Sequence, residues 1–102
     1  MSHENLVGLN VTDEASYQRY RDEMTPILAR YGGRFRHDFR IAETLRSEAP
    51  GKITRLFIIS FPDTATKVRF FADPEYVAIR ARHFVGAVDG VSILAEFDTT
   101  AK

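Results

Sequence analysis

The sequence predicts an α+β sandwich built from one sheet and two helical regions. Three observations carry this. Apolar residues recur at helical spacing over 12–31 and again over 63–88. Alternating or wholly apolar runs occupy 6–11, 34–45, 53–61 and 91–97. The length, 102 residues, is that of one domain, spanning 1–102, with enough chain to bury a core.

Residues 6–11, LVGLNV, are short, apolar and partly β-branched, which favours a strand. Thr12 then offers an N-cap, and Asp13 and Glu14 oppose the positive end of the helix dipole. Tyr17, Tyr20, Met24, Ile27, Leu28 and Tyr31 fall on one helical face. Pro26 removes one backbone hydrogen bond and predicts a bend near Met24 and Thr25. Gly32 or Gly33 supplies the left-handed residue that ends the helix.

From Arg34 onward the alternation puts Phe35, His37, Phe39 and Ile41 on one parity and Arg34, Arg36, Asp38 and Arg40 on the other. Pro50 and Gly51 predict a hairpin turn. The run ITRLFIISF is apolar on both parities and reads as a central strand covered on both faces. After Pro62, Asp63 caps a second helix with Ala65, Val68 and Ala72 inward; Asp73 and Pro74 restart it. Val77, Ala81, Phe84, Val85 and Val88 then form the expected buried stripe, with Tyr76, Arg80 and His83 on one flank and Arg82 on the other. VSILAEF is the last strand, and the tail beyond it reads as loose.

The order β-α-β-β-α-β is that of a ferredoxin-like fold, a four-stranded antiparallel sheet with its helices on one face. Two helices cover one face only, yet the third strand is apolar on both. The uncovered face predicts a partner sheet and hence a homodimer about a two-fold axis.

Fourteen basic residues balance fourteen acidic ones, which argues against a nucleic-acid partner. The absence of cysteine removes disulfides, thiolate metal sites and cysteine nucleophiles. The first residues lack the pattern of a secretory signal, and the most apolar run, LFIISF, falls far short of a membrane span, so a cytoplasmic protein is expected. No phosphate-binding glycine loop, zinc-protease motif or carboxylate cluster at metal spacing occurs, and no cofactor or metal is expected.

Tyr17 and Tyr20, YGGRF at 31–35, and DPEY at 73–76 followed by Arg82 resemble domain-of-unknown-function family 1330, small bacterial proteins of the dimeric α/β-barrel superfamily. The resemblance spans nearly the whole chain. It implies a dimeric barrel of two ferredoxin-like halves and supplies no reaction; the superfamily holds cofactor-independent monooxygenases, isomerases and ligand-binding domains.

Among residues able to carry chemistry, His37 stands out as the one group titrating near neutrality on an otherwise apolar strand face, a general acid or base if it borders a cavity and a hydrogen-bonded core histidine if it does not. Arg34 is placed either to stabilise an oxyanion or to satisfy the end of the first helix. Tyr17, Tyr20 and Phe35 are candidate substrate contacts, and the resemblance adds Tyr76 and Arg82; each has an alternative as packing or subunit contact. Arg36, Asp38 and Arg40 read as a solvated ladder, and His3 as part of a mobile terminus. Two functions follow as expectations: a cofactor-independent enzyme, monooxygenase- or isomerase-like, acting on a small carbonyl or aromatic compound, or a non-catalytic small-ligand-binding or assembly module.

Overall fold

The computed structural model describes residues 2–100. In chain order the elements are β1 (Ser2–Val11), α1 (Glu14–Arg30), β2 (Arg34–Arg40), β3 (Arg55–Phe61), α2 (Thr64–Ala72), α3 (Pro74–Ile79), a π-helical turn over Arg80–Phe84, and β4 (Val88–Thr99). The sheet is antiparallel in the order β2-β3-β1-β4, so the doubly apolar β3 is indeed central. The architecture is the expected ferredoxin-like one, with the helices on one face.

Helix α1 forms where its apolar stripe predicts. Asp13, not Thr12, is the N-cap, its carboxylate accepting from Ser16 N–H, while the Thr12 hydroxyl donates to the Ala87 carbonyl. The helix runs through Pro26 as one element, and the Thr25 hydroxyl donates to the Arg21 carbonyl one turn back. Its end is a Schellman closure: Gly32, at φ +73°, donates to Ala29 and Gly33 donates to Leu28. Gly33 also lies where a Cβ would sit 2.4 Å from Leu28 Cδ1 and 3.1 Å from the Ser60 carbonyl oxygen. Leu28 is buried and cannot swing away, so Gly33→Ala is expected to cost about 1–3 kcal/mol through overpacking, read as a lowered urea midpoint with unchanged slope.

Four expectations fail locally. The first strand starts at Ser2, and the last continues to Thr99, because Ser2, His3, Asp98 and Thr99 pair with one another instead of forming loose ends. Strand β2 stops at Arg40 and β3 starts at Arg55, leaving 41–54 as a long connection in place of a tight hairpin. On α2 the inward residues are Thr66 and Phe70; Val68 faces out. After α3 the helix widens, Val85 N–H bonding back five residues to Arg80. The inner face is Tyr76, Ile79, Phe84 and Ala87, the wide turn setting Phe84 five residues beyond Ile79, and Val77, Ala81 and Val85 face outward.

The core joins β1 and β3 to α1 and α2–α3 through Leu9, Phe61, Met24, Leu28 and Phe70, all essentially fully buried. The opposite sheet face stays open. Leu6, Leu56 and Ile58 are half-buried there, and Phe39 and Phe97 remain exposed. At one end of this face Glu4 is fully buried and accepts hydrogen bonds from Ser60 (3.0 Å), Thr99 (3.1 Å) and Arg36 (3.4 Å).

Candidate functional site

A cavity of about 290 Å³ lies between the helices and the sheet. Strands β1 and β3 supply its floor with Val7, Leu9, Phe57 and Ile59, since inward residues alternate along each strand. Helix α1 contributes Tyr17, Tyr20, Arg21 and Met24 at spacings of three and four, and Tyr76 and Phe84 close the far wall. The lining residues that stay exposed, Phe71, Arg80, Val91 and Ile93, lie on α2, the π-helical turn and β4, so the mouth is there.

Besides Asn5, Lys67 and Arg80, two polar clusters border the cavity. The first is a tyrosine pair: the Tyr20 and Tyr76 hydroxyls are 2.8 Å apart, with the Tyr20 ring packed 4.8 Å from Phe84. Burial pushes both phenols above their ordinary range, helped at Tyr20 by its neighbour Tyr76 and opposed at Tyr76 by the Tyr20 hydrogen bond and the Arg80 charge. Both therefore stay protonated at neutral pH and serve as donors.

The second is an arginine cluster. Arg21 Nε donates to the Tyr17 hydroxyl at 2.8 Å, and its two terminal nitrogens reach the Asp38 carboxylate at 3.0 and 3.1 Å. Arg55 donates to the same carboxylate at 3.0 and 3.1 Å. The Arg21 guanidinium stands 3.8 Å from the centroid of Phe35, which therefore forms a cation-bearing wall of the cavity. Burial works against ionising Asp38, but the Arg55 hydrogen bonds and the charge and hydrogen bonds of Arg21 outweigh it and hold the carboxyl below its ordinary range.

The structure brings Tyr17, Tyr20, Phe35 and Tyr76 together around this cavity and leaves His37, Arg34 and Arg82 outside it. The reason for His37 is a bulge. Phe35 pairs with Ile59 and His37 with Ile58, so Arg36 is an extra residue and the alternation reverses across it. Phe35 and Asp38 point to the helices; His37 lies exposed on the open face, stacked on Phe39 at 6.1 Å. His37 is thus not desolvated between Phe35 and Phe39, and Asp38 is no member of a solvated ladder. Arg34 is exposed opposite Ser60, and Arg82 pairs with Glu23 at the surface.

Arg21 and Arg80 were not expected on the cavity wall, nor Asp38 and Arg55 in the ion cluster with Arg21. Position 21 carried a signal, because 17, 20, 21, 24, 27 and 28 share one helical face and only Arg21 among them is charged. Asp38 carried none, since nothing in the residue types announces the bulge.

His3 is also no loose terminus. Its Nδ1 lies 2.9 Å from Asp98 and its Nε2 3.2 Å from Glu96, which in turn receives Lys67 Nζ at 2.7 Å. The Asp98 hydrogen bond, with that of Glu96, raises its pKa above the usual imidazole value against burial and the Lys67 charge. A raised folded pKa gives stability that is full below about pH 6.5 and lost as pH rises through the folded value. Urea midpoints of the wild type should fall across that window, while those of His3→Gln should stay flatter; parallel profiles would remove the ion pairs from the stability of β1 and β4.

Fold and cavity together define a ferredoxin-like α/β protein with an apolar pocket that opens beside β4. The chain belongs to the family described as Domain of unknown function (DUF1330), whose family model matches residues 6–97. No curated protein matches it. Among solved structures, a protein of unknown function from Rhodopseudomonas palustris is 16% identical, with 99% of this chain and 84% of that one covered and a TM-score of 0.81. A ferredoxin-like dimeric α/β-barrel family protein from Mesorhizobium loti is 18% identical over 99% of this chain and 97% of that one, with a TM-score of 0.64. SnoaB, a cofactor-independent oxygenase from Streptomyces nogalater, is 14% identical over 99% and 93%, with a TM-score of 0.56. At these identities the likeness is one of fold. Among the described residues no helix is long and apolar enough to cross a membrane, and no three His, Cys, Asp or Glu side chains gather as metal ligands would.

Proposed function

We propose that this chain acts as a homodimer that takes a small aromatic or carbonyl compound into the cavity between its helices and its sheet. The observation that carries this reading is the Tyr20–Tyr76 hydroxyl pair held in an apolar pocket of small-molecule size. Aromatic walls from Phe35, Phe57 and Phe84 suit a planar body, and the hydroxyl pair suits a carbonyl or phenol oxygen. The open sheet face, with Leu56 and Ile58 at its centre, supports the homodimer.

Binding is favoured over acid–base turnover by the lining itself, which among the described residues includes no His, Asp or Glu. The enzymatic reading is a cofactor-independent, monooxygenase- or isomerase-like activity. It is supported by the fold likeness to SnoaB and by the two phenols that stay protonated and can stabilise charge developing on a carbonyl oxygen. On either reading Tyr20 and Tyr76 orient the ligand, and Tyr17 and Phe35 exclude water.

The test uses 2-acetylnaphthalene, a neutral aromatic ketone. It should bind saturably and raise the melting temperature. The double variant Tyr20→Phe, Tyr76→Phe should weaken it about tenfold, roughly the contribution of one buried hydrogen bond. An equal affinity in the double variant would take the tyrosine pair out of the site. Recovery of the ketone chemically unchanged supports binding alone; a product whose formation requires the two tyrosines supports the enzyme.

A further inference from the structure

The three cationic side chains on the cavity wall are not equivalent. Arg21 gives both terminal nitrogens to Asp38, and Lys67 holds Glu96. Arg80 has no carboxylate within ion-pair distance among the described residues. It stands four residues after Tyr76 and four before Phe84, so the three share one flank of the helix. Its guanidinium lies 4.7 Å from the Phe84 centroid, and its charge reaches the Tyr76 hydroxyl. The sequence reading set Arg80 on a flank; the π-helical turn that begins there keeps that flank on the pocket.

Proton accounting at the tyrosine pair points the same way. Two hydroxyls carry two protons, and the bond between them uses one. The other O–H has no acceptor among the described residues, although Tyr20 and Tyr76 are 6% and 2% exposed. A buried donor without an acceptor is costly, and a ligand oxygen relieves it.

We infer that Arg80 and the Tyr20–Tyr76 pair form an oxyanion-binding corner, and that the cavity's ligand is a small apolar monoanion, a carboxylate, phenolate or enolate. The inference rests on the cavity being the ligand site and deepens it by naming the charge. The apolar body lies toward Met24 and Phe57, and the anionic oxygen accepts from the free hydroxyl and from Arg80. Arg80 is then the specificity residue: it distinguishes an anion from the neutral compound of the same shape.

Two probes of one shape test this, naphthalene-2-carboxylate and naphthalene-2-carboxamide, titrated calorimetrically against the full chain. The carboxylate should bind about tenfold more tightly, the scale of one charge-assisted hydrogen bond. Arg80→Gln should weaken the carboxylate far more than the carboxamide and so remove that preference, and Arg80→Lys should restore part of it. Because Arg80 also packs on Phe84, a wild-type measurement stands beside the variants: raising the salt concentration should weaken the carboxylate alone. Equal affinities of the two probes for the wild type, or a preference that survives in Arg80→Gln, would overturn the anion assignment while leaving the cavity as a ligand site. Binding of neither probe, nor of the ketone, removes the site and this inference with it.

Discussion

Asp38→Ala is expected to lower stability by about 3 kcal/mol, among the largest losses available outside the hydrophobic core, because it strands two buried guanidiniums. Arg21 and Arg55 both fork onto this one carboxylate, and each has a side chain about one-tenth exposed. Removing the acid leaves like charges facing each other beside Tyr17, with only the half-exposed Glu14 carboxylate, 3.8 Å from Arg55, left to offset them and no carboxylate on Arg21. Loss of a surface pair is a different matter. Arg30–Glu75 is just as short, at 2.7 Å, but more than half exposed on both sides, and Glu75→Ala should change stability by less than about 1 kcal/mol. Thermal unfolding separates the two, since about 3 kcal/mol in a domain of this size moves the midpoint by roughly 12–20 °C. A loss at Asp38 no larger than at Glu75 would mean that water already screens the arginines. The pH dependence has a fixed sign. Because the Asp38 carboxyl is held below its ordinary range, its contribution is full above about pH 4 and is lost as pH falls through the lower folded value. Asp38→Asn should therefore be destabilised at neutral pH and converge toward wild type in acid.

Ile58→Glu is expected to convert a dimer into a folded monomer. Ile58 sits on β3, the second of the four strands in spatial order, and faces away from the helices between His37 of β2 and Leu6 of β1. On the open face of a free chain a glutamate there meets water and costs little. In a face-to-face dimer it buries an unpaired carboxylate on each side of the interface, which costs far more than such an association returns. Sedimentation should show a wild-type dimer and a monomeric variant with an unchanged circular dichroism spectrum. A wild type that sediments as a monomer would end the dimer proposal directly.

The residue types alone determined the element order, the stripe of α1, the glycine closure at 32–33 and the central place of β3. Each follows from short-range rules: helical spacing, capping chemistry, and the fact that a strand apolar on both parities needs cover on both faces. The sequence likewise pointed to Tyr17 and Tyr20 on the inner stripe of α1 and to Phe35 on the apolar parity of β2, while Tyr76, set on a helix flank, came only from the family resemblance. Only tertiary structure decided the rest. The bulge at Arg36 exchanged the faces of His37 and Asp38, and the widened turn at Arg80 placed Phe84 five residues beyond Ile79 on the buried face. Side-chain period fixes which residues share a face only while the count is unbroken, and one inserted residue reverses every assignment beyond it. That insertion is settled by how β2 pairs with β3, a contact between segments far apart in the chain, and on it depends whether a histidine or an aspartate lies on the helix side of the sheet against Arg21.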